Sequence, residues 1–267
     1  MADAYLDELE ARSIYIIREA YNRIHPLAML WSIGKDSTAL LWMARKAFFG
    51  RAPFPLVLLD TGMELDEVYE FRDRIIDEWD LDTVINYPCP PEDQMDQTLP
   101  PASRAAQRKT EGLKQLLEDK QYRGIIAGIR RDEQAMRAKE RVFSPRSMDG
   151  DWDYKDQPAE FWDQYKTEFP EGCHVRVHPL LHWTEEDIWR YTKRENLPCV
   201  PLYFAQNGQR YRSLGEKNIT FPVESNAGTV DEIIAELQTT ETSERSGRAM
   251  DHESEDSFEK LRVSGYM

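Results

Sequence analysis

The sequence predicts a doubly wound α/β fold on a mostly parallel sheet. Three observations carry this reading. Continuous apolar runs recur at 28–31 (AMLW), 54–60 (FPLVLLD) and 124–129 (GIIAGI). Stretches with helical spacing of apolar residues lie between them. None of the runs alternates apolar with polar residues, as a strand with one wet face would. Strands of this kind, separated by helices, belong to a parallel sheet covered on both faces.

The elements follow in chain order. A helix over 6–24 places Leu6, Leu9, Ile16, Ile17 and Ala20 on one side, and Pro26 ends it. The strand at 28–31 runs into a polar turn. A helix follows with Leu40, Leu41, Ala44, Ala47 and Phe48 at helical spacing. The second strand is 54–60. An amphipathic helix over 64–79 then points Val68, Phe71, Ile75 and Trp79 inward. A third strand (82–87), a polar proline-bearing connection (88–101) and a helix (103–119) lead to the fourth strand at 124–129 and a charged helix at about 132–140. Residues 141–173 mix aromatic and charged residues and read as an irregular excursion with some helix. A fifth strand (174–181) precedes Thr184-Glu185-Glu186-Asp187, a capping box opening a helix that runs to about residue 195. Pro198 and Pro201 close it. We divide the chain into an α/β domain (1–202) and a C-terminal extension (203–267) whose tail, from about 239, reads as solvated or partner-dependent.

Composition narrows the classes of function. The chain has 267 residues, 40% of them hydrophobic, and a formal net charge of −15. Such acidity disfavours broad binding to nucleic acid or anionic membranes, so an anionic ligand needs a local basic cluster. No apolar run approaches the ~20 residues of a membrane span. Acids occupy MADAYLDELEARS where a signal peptide needs basic and then apolar residues. Three separated cysteines, Cys89, Cys173 and Cys199, fit free thiols in a reducing cytoplasm.

The polar turn is Ser32-Ile33-Gly34-Lys35-Asp36-Ser37-Thr38. A strand, a tight turn and a helix start direct backbone N–H groups and the positive end of a helix dipole at one spot, and Lys35 adds a full charge. The chemistry that fits is holding phosphate or pyrophosphate. Asp36 after Lys35 rules out a G-x-x-x-x-G-K-[ST] loop. At the end of the second strand, Asp60-Thr61-Gly62 reads equally as a strand-end turn or as a ribose contact. Arg130, Arg131, Arg137, Lys139 and Arg141 form the densest basic stretch, and guanidinium forks match tetrahedral oxyanions. The same stretch reads alternatively as a solvated helix with i,i+4 pairs such as Glu133 with Arg137. His174, His178 and His182 recur every fourth residue, but on a strand and across a proline, which does not make a metal site. Cys89 is either an incidental thiol or a persulfide carrier. Arg212, Arg245 and Arg248 either reach an anion or pair within this acidic chain.

These motifs carry a resemblance. SIGKDS is similar to the S-G-G-x-D-[ST] loop of the ATP pyrophosphatases (PP-loop superfamily), with Ile33 where most members have glycine. GIRRDEQAMRAKER resembles the G-x-R-R-D-E-x-x-R-x-K-E-R of one branch, the small subunit of heterodimeric ATP sulfurylase. PFPLVLLDTG, WTEEDIW, VPLY, RSLG and the tail ending GYM extend the match over nearly the whole chain. The resemblance implies an adenine nucleotide α-hydrolase-like fold and adenylyl transfer from ATP to sulfate, giving adenosine 5′-phosphosulfate and pyrophosphate. It implies ATP bound through Ser32, Ile33, Gly34, Ser37, Thr38, Asp60, Gly62 and Gly128. Lys35, Asp36, Arg130 and Arg131 would be catalytic, with Asp36 the candidate Mg²⁺ ligand. Arg137, Arg141 and Arg212 are candidates for the acceptor anion. It further implies a separate GTPase large subunit as partner. Two departures stand out: a shortened segment between Tyr203 and Arg212, and Glu216 where a cysteine is common. They keep open an alternative in which a nucleic-acid phosphate is activated for sulfur incorporation, with a cysteine desulfurase and DNA-modification partners. The E-C-G-x-H motif of the thiol-dependent reductases is missing from the sequence.

Overall fold

The structure is a computed structural model and describes residues 2–147, 151–153, 155–240 and 242–245. Six strands form the main sheet: β1 (Leu27–Leu30), β2 (Leu56–Asp60), β3 (Val84–Pro88), β4 (Gly124–Ile126), β5 (Phe143–Arg146) and β6 (His174–Val177). Their order is β3-β2-β1-β4-β6-β5. All neighbours are parallel except β5, which pairs antiparallel with β6. The chain steps outward from β1 to β3 and then returns to the other side of β1 as β4. That reversal leaves a crevice at the carboxyl ends of β1 and β4, where ligands bind in open α/β sheets.

The helices are α1 (Ala2–Arg23), α2 (Lys35–Ala47), α3 (Asp66–Glu78), α4 (Pro101–Lys120), α5 (Glu185–Glu195) and α6 (Val230–Leu237). Every residue of β1 is buried, as its unbroken apolar run requires. The sheet separates two hydrophobic clusters. Ile16, Ile17, Met29, Leu40, Leu41, Ile126 and Trp189 belong to one. Ala28, Leu30, Val57, Leu113, Leu116 and Ile125 form the other. Both faces are therefore covered, as in a doubly wound fold. The Thr184 capping box forms as its sequence implies: Thr184 Oγ1 accepts from the Asp187 N–H, and Asp187 accepts from the Thr184 N–H at 2.9 Å.

Five local expectations need correction. The fourth strand ends at Ile126 and the expected fifth at Val177, each short of its apolar run. The charged helix over 132–140 is a single 3-10 segment, Ala135–Lys139. It nonetheless forms the anticipated i,i+4 pair between Glu133 and Arg137. The excursion after residue 141 contains β5, and no helix among its described residues. Beyond α5, a hairpin of β7 (Gln209–Arg210) and β8 (Val223–Glu224) and then α6 lead to the tail. The first tail residues are not solvated: Glu244 and Arg245 are buried.

Candidate active site: an anion cradle at the switch point

Gly34 is the N-cap of α2 and carries no side chain to satisfy the first-turn N–H groups. An uncapped helix start facing a cleft is an anion site in waiting. The preceding residue, Ile33, has φ +64° and is 1% exposed, its side chain buried in the core. A β-branched residue in the left-handed region is strained, and such strain concentrates at functional turns. The turn is tied down on several sides. Ser37 Oγ donates to the Gly34 carbonyl (3.1 Å) and Ser32 Oγ to Ser37 Oγ (3.2 Å). Trp31 Nε1 donates to Thr38 Oγ1 (3.2 Å), and the Lys35 N–H to the buried Tyr203 hydroxyl (3.1 Å). Gly128, just past β4, packs against this turn. A Cβ there would lie 3.3 Å from the Ser37 Cα and N, so the approach of the two strand ends uses a glycine.

The cleft holds about 180 Å³. Leu30, Leu58, Leu59 and Ile129 give it an apolar wall. Ser32, Gly34, Lys35, Asp36, Ser37 and Gly128 form its floor. Glu64 and Lys109 stand at one part of the rim, paired at 2.8 Å. Glu133, Arg137, Ser213, Leu214, Glu244 and Arg245 also line it.

The charges interlock. Lys35 Nζ pairs with Asp36 (3.1 Å) and with Glu244. Arg130, fully buried, pairs with Asp36, Glu244 and Asp132 (3.0 Å to Asp132). Asp132 also accepts from the first N–H of α5, at 2.8 Å from Glu185 N. Burial alone would push the Glu244 carboxyl up, but the Arg130 and Lys35 cations outweigh it and hold it well below the usual carboxylate range. Burial likewise opposes the charge on Arg130, and Glu244 and Asp132 overcome it, raising the guanidinium.

The cleft thus gathers Ser32, Gly34, Lys35, Asp36, Ser37, Gly128 and Arg137, with Arg130 packed behind Asp36. It also gathers Arg245, paired with Glu133 at 3.2 Å, but not the other candidates. Ile33 faces the core and Thr38 anchors Trp31. Asp60 accepts from the Gly62 N–H (2.8 Å) and the Tyr69 hydroxyl (2.7 Å), forming the strand-end turn, with Gly62 at φ +69°. Arg131 turns to His182 Nδ1 (2.9 Å), and Arg141 donates to the Pro158 carbonyl (3.2 Å). Arg212 is held by Glu185 (2.9 Å) and the Thr242 carbonyl (2.6 Å). Arg248 lies outside the described residues. Cys89 is buried, which pushes its thiol up to about 11, unlike the low values of sulfur-handling thiols. Glu216 is 2% exposed, 3.8 Å from Arg108, and the next N–H, of Lys217, donates to the Met63 carbonyl (2.8 Å). It braces the segment after β7 against the loop after β2. Tyr203, Glu133, Lys109 and above all Glu244 had drawn no attention as site residues.

The fold, the switch-point cleft and the uncapped loop define a nucleotide-binding α/β protein. The chain belongs to the phosphoadenosine phosphosulfate reductase domain family, whose profile matches residues 26–222. Within it, the relatives are more specific. The chain is 40% identical to sulfate adenylyltransferase subunit 2 of Allorhizobium ampelinum, covering 99% of this chain and 94% of that protein. The subunit 2 of Pseudomonas paraeruginosa is also 40% identical, with 98% of each chain covered. Among solved structures, Candida glabrata FMN adenylyltransferase with FMN and an ATP analogue superposes at TM-score 0.56. That match has 18% identity and covers 83% of this chain and 66% of that one. Phosphoadenylyl-sulfate reductase from Candida auris superposes at TM-score 0.51 with 13% identity, over 82% and 97%. At these identities the structural likeness speaks for the fold alone. Among the described residues no helix is long and apolar enough to cross a membrane.

Proposed function

We propose that this chain transfers the adenylyl group of ATP to sulfate. A sulfate oxygen attacks the α-phosphorus, the bond from that phosphorus to the β-phosphate oxygen breaks, and adenosine 5′-phosphosulfate and pyrophosphate result. The observation that carries the reading is an intact anion cradle in a chain related over its full length to sulfate adenylyltransferase subunit 2. Lys35 and the first turn of α2 take the leaving pyrophosphate, where negative charge accumulates in the transition state. The apolar wall of Leu30, Leu58 and Leu59 suits a nucleobase. Arg137, which lines the cleft and pairs with Glu133, receives the acceptor anion. Arg130 keeps Asp36 and the loop in place and, across Glu244 from Lys35, supplies the second cation of the pyrophosphate subsite. Mg²⁺ takes oxygen ligands, with one or two protein carboxylates alongside phosphate oxygens. Asp36 lines the cleft together with the Ser32 and Ser37 hydroxyls, and its carboxylate would hold an ion that neutralises phosphate charge.

The second subunit implied by the relatives' name is, in this proposal, a GTPase that drives the uphill anhydride formation. Residues 203–267 act as a cover for the cleft. The phosphorothioation alternative is not favoured, since the relatives act by name on sulfate. The test is product analysis. The chain with its GTPase partner, ATP, GTP and sulfate should yield adenosine 5′-phosphosulfate and pyrophosphate in equal amounts. Pyrophosphate release indifferent to sulfate would refute the acceptor.

A further inference from the structure

We propose that Glu244 is an internal phosphate mimic: its carboxylate occupies the pyrophosphate subsite between Lys35 and Arg130, and ATP binds only when the strap over 242–245 has moved out. The inference rests on the cradle reading above. Lys35 and Arg130 have side chains 1% and 0% exposed, and both point at the Glu244 carboxylate, itself 7% exposed. Glu244 lies 209 residues from Lys35 and 114 from Arg130, so neither pairing follows from chain proximity. The strap is fastened on both sides of Glu244. Arg212 donates to the carbonyls of Thr242 (2.6 Å) and Ser243 (3.4 Å), and Arg245 pairs with Glu133 at 3.2 Å. Each fastening is modest in energy or reversible, since none is covalent.

The exclusion is electrostatic as well as steric. With Glu244 seated, the two cations already face the carboxylates of Asp36, Asp132 and Glu244. No uncompensated positive charge remains for a polyphosphate. Glu244 is the third carboxylate set against two cations, so its removal brings the group from net negative to neutral and lifts the repulsion of a polyphosphate. The ligand class is therefore a pyrophosphate group, free or on a nucleoside triphosphate, and a nucleoside monophosphate should not compete with the strap. Binding that requires a minor open state is weakened by the fraction open. A strap open less than about a tenth of the time weakens pyrophosphate binding at least tenfold, about 1.4 kcal/mol.

The experiment is isothermal titration of the full-length chain with inorganic pyrophosphate, ATP and AMP. The chains compared are wild type, Glu244→Gln, Glu244→Asp and Lys35→Ala. Glu244→Gln keeps the shape and removes the charge. It should tighten pyrophosphate and ATP at least tenfold and leave AMP unchanged. Glu244→Asp keeps the charge but falls one methylene short of bridging both cations, and should give a smaller gain. It decides the matter if the Gln variant fails to fold. Unchanged or weaker pyrophosphate binding in a folded Glu244 variant, with binding lost in Lys35→Ala, would overturn the mimic while leaving the cradle. Equal pyrophosphate binding by wild type and Lys35→Ala would overturn the cradle, and the mimic with it.

Discussion

Replacing Ile33 by Ala and by Gly should reverse the usual order of stability of these two residues. Ile33 is 1% exposed with φ +64°. Both substitutions delete the buried side chain, so both lose ~2–5 kcal/mol to the cavity and to lost transfer energy. The difference between them isolates the backbone. In ordinary positions Gly is the less stable by ~0.5–1 kcal/mol, through the entropy of the unfolded chain. At φ +64° Ala retains a left-handed penalty of ~1–2 kcal/mol, which Gly escapes. The balance leaves Ile33→Gly more stable than Ile33→Ala by ~0.5–1 kcal/mol. Urea unfolding of the two variants, at equal m-values, measures it. An Ala variant more stable than the Gly variant by 0.5 kcal/mol or more would refute the strained turn, the flat difference taken at the scale of these penalties.

Two further outcomes follow from the site and the core. Arg137→Lys, which keeps charge but loses the planar fork, should raise the sulfate requirement at least tenfold, about 1.4 kcal/mol. Arg131→Lys, whose parent side chain turns away to His182, should leave it within about twofold; sulfate titrations at saturating ATP compare the two. Burial depresses the His178 imidazole from 6.5 to about 4, with its Nδ1–H donating to the Arg141 carbonyl at 2.8 Å. The unfolded chain therefore takes up this proton near its ordinary pKa while the folded chain resists. The associated stability is complete above pH 6.5 and is lost as pH falls toward 4, on the order of 3 kcal/mol in all. His178→Asn, whose amide nitrogen replaces Nδ1 without titrating, should flatten that slope in denaturant unfolding run from pH 7 to 4.5; an unchanged slope would remove His178 from the acid response.

What could be read from the chain and what could not have physical reasons. β1, β2 and the helices between them are legible because a sheet covered on both faces demands unbroken apolar runs, and AMLW and FPLVLLD supply them. β5 (Phe-Ser-Pro-Arg) was not, because it is an edge strand carrying Pro145, and a proline argues against a strand except at an edge. The cradle was legible as a local motif, since strand, turn and Lys35 are contiguous. Glu133 and Arg137 were correctly spaced for pairing, but a 3-10 segment brings them together instead of an α-helix. Arg130 was visible as basic, yet its full burial depends on carboxylates from three separate segments. Glu244 could not be found at all. It stands in a run of Thr, Ser, Glu and Arg that reads as solvated, and only the paired cations across the fold draw it inside.

The central claim, that the Ser32–Thr38 turn holds the pyrophosphate while sulfate takes the adenylyl group, is tested most directly by following the α-phosphorus. ATP labelled at that atom is incubated with the chain, its partner, GTP and sulfate, and the label is traced. The account predicts that the label moves into adenosine 5′-phosphosulfate only when sulfate is present, with none in pyrophosphate. It predicts that Lys35→Ala slows the transfer about tenfold to a hundredfold, for a lost contact of ~1.5–3 kcal/mol. Label transfer by a folded Lys35→Ala protein within about twofold of wild type, or transfer without sulfate, would contradict it.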